Sequence, residues 1–219
     1  MLTEELRKIA EPVLRDTIGH LFWSGLRDGS LPGSALAHFV SQDTGHLLPA
    51  LGRAFAGCAA MATVDSDTAR LGLCAHATVE SGPRLRDAFA DLAPTLAVEA
   101  PAGRAPADAT TLAYCSFLRA AAATSFTAGI GAVLPMMWFH MEVCVDLAAR
   151  HLPGSRYVPW IEVYHPGERA WPVTREFLGM VDEIGERASA SDRDQLTEYF
   201  SAAARYEWAF ADSAFGVSA

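Results

Sequence analysis

AAAATSFTAGIGAVLPMMWFHMEVC, residues 120–144, decides what kind of protein this is. From Ala120 to Phe139 no residue is charged, and the run is about as long as a helix that crosses a bilayer. It makes a poor span all the same. Ser, Thr, Gly and Pro interrupt it, leucine is scarce, and alanine and glycine dominate its first half, a composition suited to close packing of helices in a water-soluble core. The reading is therefore a buried helix and no membrane, with a bend or break expected at Pro135, whose ring removes a backbone donor.

Outward from this stretch, helical spacing of apolar residues recurs almost everywhere, and no segment alternates in the strand manner. Thr3 is expected to cap a first helix carrying Leu6, Ile9, Val13 and Leu14. The turn-rich RDGSLPGS (27–34) precedes a second helix ending near Ala62, and VDSD (64–67) opens a third over about 66–90. Pro94, Pro101 and Pro106 make residues 92–110 an irregular connection, after which Asp108 or Thr110 starts a fourth helix reaching Pro135. A short piece around PWIEVYHP (159–166), a helix over about 167–188 and a last helix to about Phe215 follow, the last one opened by a capping box at Ser191–Asp194. The expected fold is all-α, a bundle of seven to eight helices forming one domain over residues 1–219.

The composition, 51% hydrophobic and 20% charged over 219 residues, supports a substantial core. A net charge of −9 with no basic run argues against nucleic acid as a partner. The opening MLTEELRKIAEP has no secretory pattern, so a cytoplasmic location is expected. Cys58, Cys74, Cys115 and Cys144 form no CxxC pair and read as buried thiols.

The common catalytic strings HExxH, GxGxxG, GxSxG and the P-loop are absent, so any site must be assembled from scattered residues. Four places set an ionisable group among apolar neighbours, the condition that shifts a pKa. Asp43 and His46, three apart, should share a helix face. Tyr114 adjoins Cys115, Tyr164 lies near Trp160, and Glu207 sits between Tyr206 and Trp208. A desolvated Glu207 would exchange protons near neutrality. The plainer reading of each is a satisfied core group.

Taken in order, His20-Leu-Phe22, Gln42-Asp43, YCSFL (114–118), LPMMW (134–138), PWIEVY (159–164) and YEWAFADSAF (206–215) resemble the TenA/thiaminase II family over essentially the whole chain. The resemblance implies a haem-oxygenase-like helical fold without haem or other cofactor, usually a homotetramer, acting on aminopyrimidines or thiamin. It implies that Asp43 holds the pyrimidine nitrogens, that Tyr114 and Tyr164 line the pocket with Phe22, and that Glu207 shuttles protons. The chain departs from the family pattern at Met136, where the family carries its cysteine nucleophile, and at His46 and His140, where tyrosines are usual. A thioether cannot become a thiolate, so covalent attack from that position is closed. Cys144, about 12 Å of helix rise from Met136, is a poor replacement, and Cys115 is a weak one.

Three functions follow from this. The first is an aminopyrimidine hydrolase without the cysteine, with Asp43 orienting substrate and Glu207 activating water. The second is a non-haem metal-dependent oxidase drawing ligands from Asp43, His46, His76, Glu80, His140 and Glu207, although only one carboxylate-x-x-His pair is present. The third is a non-catalytic protein that stacks a heteroaromatic molecule.

Overall fold

The long apolar stretch breaks at Ser125 and runs straight through Pro135. In the computed structural model, which describes residues 1–100, 103–165, 167 and 170–216, Ser125 is extended (φ −164°, ψ 165°) and its hydroxyl accepts the Ala128 N–H at 3.1 Å. It thereby caps one helix where another has just ended. These are α6 (Ala109–Thr124) and α7 (Phe126–Arg150). The break expected at Pro135 is not made, because the proline costs α7 one backbone hydrogen bond while packing on every side holds the helix. Its most apolar 18-residue window is 78% buried.

Before these come α1 (Leu2–Ile18), α2 (Leu21–Asp28), α3 (Gly33–Gln42), a π-helical turn (Asp43–Leu47), α4 (Leu48–Met61) and α5 (Asp65–Leu92). After them come α8 (Val158–Tyr164), α9 (Ala170–Arg187) and α10 (Ala190–Gly216). The described residues contain no strand, as the periodicity implied. The segments outnumber seven or eight because α2 follows α1 as a separate helix, the second expected helix is divided by the π turn and the fourth by Ser125.

Two further caps differ from the sequence reading. Thr3 does not cap α1: its backbone N–H and hydroxyl both donate to the Asp182 carboxylate on α9, at 2.8 and 2.9 Å, tying α1 to α9. The capping box of α10 lies two residues earlier than expected. The Ser189 Oγ accepts the Asp192 N–H at 3.2 Å and donates to the Asp192 carboxylate at 2.7 Å. The turn after α2 is as expected, with Gly29 closing the helix at φ 86°, a left-handed conformation that glycine adopts without strain.

α7 and α10 pack along each other through the centre. Gly131 makes that approach possible, since a Cβ there would lie 2.3 Å from the Leu196 carbonyl oxygen. α4 and α5 form a second close pair, and between the two pairs lies the cavity described next.

Candidate active site

The cavity has a volume of about 360 Å³ and is mostly apolar. Trp23, Phe39, Phe139, Tyr164 and Phe210 supply aromatic walls, and Met136, Met137 and Met141 supply thioethers. Into this lining project the carboxyls of Asp43 and Glu207 together with the imidazole of His140.

Asp43 opens the π turn. The turn's extra residue lets the Leu48 N–H reach back to the Asp43 carbonyl, and the Thr44 hydroxyl back-bonds to the Val40 carbonyl at 2.7 Å. Gln42, next to it, fixes the segment from outside. Its amide donates to the Pro106 carbonyl and accepts the Asp108 N–H, both at 3.0 Å, so the irregular connection is laced to the end of α3. Asp43 itself is 7% exposed and accepts no side-chain hydrogen bond among the described residues. Burial first, and then the nearby Glu207 charge, push its pKa up from 3.8 to about 8.

Glu207 reaches the same cavity from α10. It accepts a hydrogen bond from the Tyr114 hydroxyl on α6. Burial raises its pKa from 4.5 to about 7, partly offset by the Tyr114 bond, which favours the ionised form. The Tyr114 ring is fully buried and stacks on Tyr206 at 4.9 Å with an interplanar angle of 6°. That stack fixes the direction of the hydroxyl. Burial and the neighbouring Glu207 charge hold the phenol well above its usual pKa, so it serves as a donor.

Tyr164 ends α8 and is stacked between Trp160 (4.5 Å) and Trp23 (5.7 Å), with His140 edge-on at 4.6 Å. The His140 ring lies 3.6 Å from the Cys144 Sγ. Burial, then the charges of His165 and Arg84, lower the His140 pKa to about 4, so it is neutral at pH 7.

Asp43, Met136, His140, Tyr164 and Glu207 are therefore brought to one cavity, and Tyr114 stands directly behind Glu207. Phe22 and His46 are not wall residues. Phe22 is fully buried one layer back, packed on Trp23 and Phe39 at 4.8 Å each. His46 points away from the cavity, with its Nε2 2.7 Å from the Ala105 carbonyl and its Nδ1 accepting from Arg104 at 2.9 Å. The reason is the π turn: with more residues per turn than an α-helix, a residue three positions on no longer returns to the face it would share in α winding.

The metal-oxidase ligand set does not assemble. His76 and Glu80 sit on the exposed side of α5, His46 faces the 103–108 segment, and no group of three metal-ligating side chains occurs among the described residues. Nor is there a ready thiolate. Burial drives the thiols of Cys58 and Cys74 up to about 12 and those of Cys115 and Cys144 upward as well.

Sequence reasoning missed the contribution of α5, whose Cys74, Thr78, Ser81, Arg84 and Leu85 line the cavity. Their spacing of three and four marks one helix face, and its small and hydroxyl side chains were the available signal.

Comparison with known proteins agrees with the helical fold. The model of the TENA/THI-4/PQQC family matches residues 6–216. The aminopyrimidine aminohydrolase of Halalkalibacterium halodurans is 31% identical over 215 residues, covering 94% of this chain and 92% of that one. The enzyme of the same name from Bacillus subtilis is 27% identical over 209 residues, covering 95% and 87%. Among solved structures, a TenA homologue from Pyrococcus furiosus superposes with a TM-score of 0.85 at 17% identity, covering 98% of this chain and all of that one.

Proposed function

This chain belongs to the TENA/THI-4/PQQC family, and from that premise we propose that it hydrolyses aminopyrimidines in thiamin metabolism without a cysteine nucleophile. The observation that carries this reading is the convergence of Asp43 and Glu207, remote in sequence, on one apolar cavity beside Met136.

Asp43 is the recognition group. With a pKa of about 8 it is mostly a carboxylic acid at pH 7. In that form its O–H donates to a ring nitrogen while its carbonyl oxygen accepts from the adjacent exocyclic amine, the two-point pairing that an aminopyrimidine edge offers. The carboxyl takes no other side-chain donor, so both oxygens are free for that pairing. Tyr164, Phe39 and Met136 enclose the ring in aromatic and thioether surface.

Glu207 is the proton carrier. Near pH 7 it is divided between its two forms, which suits a group that must accept a proton and return it. As a carboxylate it takes a proton from water. The water oxygen bonds to the carbon bearing the departing nitrogen, the carbon–nitrogen bond breaks with its electron pair going to nitrogen, and Glu207 returns the proton to the released amine. Tyr114 keeps the carboxyl aimed at this position.

The whole chain acts as one domain on this reading, working in the cytoplasm as a homo-oligomer with a small aminopyrimidine as its partner. The test is amine release from aminopyrimidines by the wild-type protein and Glu207→Gln. Loss of about a hundredfold or more in kcat is expected for removal of a general base, and an unchanged kcat would remove Glu207 from the mechanism.

A further inference from the structure

One cation in the cavity is not used by that mechanism. Arg84 stands on the cavity-lining face of α5 and is exposed to solvent at the rim. Glu80 and Asp87 lie one turn before and after it, spacing that ordinarily gives surface ion pairs. Neither pairs with it, and its guanidinium makes no ion pair or hydrogen bond among the described residues.

Its direction follows from the winding of α5. Gly82 and Arg86 face the π turn, where Arg86 reaches the Thr44 carbonyl at 3.4 Å. Arg84, two residues from each, leaves the helix on the other side. There its charge acts on His140 and Cys144, whereas Asp43 responds to Glu207. The cavity lining thus holds two carboxyls, from the π turn and α10, and one guanidinium, from α5. A guanidinium offers several N–H donors in a planar fork matched to carboxylate and phosphate oxygens.

We propose that Arg84 receives an anionic ring substituent, a carboxylate or a phosphate monoester, of the aminopyrimidine whose amino edge pairs with Asp43. The proposal rests on the functional reading above and narrows its substrate class. A cavity of about 360 Å³ has room for a single ring with such a group.

The test is calorimetric binding at pH 7 to wild type, Arg84→Met and Arg84→Lys. The probes are 4-aminopyrimidines carrying at position 5 a hydroxymethyl, a carboxylate or a phosphate ester, with inorganic phosphate as a further arm. Wild type is expected to prefer an anionic probe to the neutral one by about tenfold or more. Arg84→Met should abolish that preference and leave neutral-probe affinity within about twofold, and Arg84→Lys should restore part of it. Equal binding of neutral and anionic probes by wild type, or equal weakening of both by Arg84→Met, overturns the proposal and leaves the aminopyrimidine reading intact. Failure of wild type to bind any aminopyrimidine overturns both. Binding of inorganic phosphate as tightly as the phosphate ester overturns the proposal by removing the ring from recognition.

Discussion

Replacing Asp43 with asparagine should make the protein more stable while disabling it, and the gain should grow with pH. Asp43 is buried without a donor, and its pKa in the fold is about 8 against 3.8 for the free side chain. Between these values the folded chain keeps a proton that the unfolded chain has released. Stability from this group therefore falls as pH rises through the window, the opposite of the usual salt-bridged carboxylate. A tenfold difference in proton affinity between the folded and unfolded chain is worth about 1.4 kcal/mol, so the carboxyl costs the fold about 2 kcal/mol at pH 5 and about 4 kcal/mol at pH 7. Asparagine keeps the shape and does not titrate. Urea unfolding of wild type and Asp43→Asn at pH 5, 7 and 8 should show the mutant's advantage widening by a few kcal/mol. The mutant amide brings its own burial cost, which shifts all three points together and leaves the slope untouched. A difference that stays flat across pH, or that shrinks as pH rises, would refute the assignment of a neutral, donor-free Asp43. Loss of aminopyrimidine binding by the same mutant would identify the cost as the condition of function.

Tyr114→Phe removes the hydrogen bond that favours ionised Glu207. The acid limb of the pH–kcat/KM profile, set by ionisation of Glu207, should move to higher pH, and an unmoved limb would count against Glu207 as the base. Wild-type turnover should survive iodoacetamide at pH 7.5, because all four thiols are buried and held above their usual pKa; inactivation at the rate of a free thiol would reinstate a cysteine mechanism. Gly131→Ala sets a Cβ 2.3 Å from the Leu196 carbonyl oxygen and should cost about 1–3 kcal/mol in urea unfolding; unchanged stability would refute the close approach of α7 and α10.

The helical class was legible because hydrophobic periodicity reports burial directly, and burial is what forms these helices. What resisted reading were choices made by particular contacts. Pro135 looked like a break, yet whether proline ends a helix depends on packing, and here Ser125 offered a better cap ten residues earlier. Thr3 had the chemistry of a cap but met Asp182 from α9, a partner no local rule contains. α-Helical spacing puts His46 on the face of Asp43, and the π turn turns it away. Met136, His140, Tyr164 and Glu207 were recoverable because their ordered motifs carried the placement that spacing alone lacks. Arg84 was not, since a lone cation on an amphipathic helix looks like surface until the neighbouring helices are in position.

The π turn also works as a phase shifter within the helical run from α3 to α4. An uninterrupted α-helix would oblige both ends of that run to obey one rotational sequence, so that aiming Asp43 inward would dictate which side chains α4 presents to α5 and α6. The additional residue uncouples the two, leaving α4 free to be shaped by its packing partners while the carboxyl upstream is pointed by the demands of chemistry.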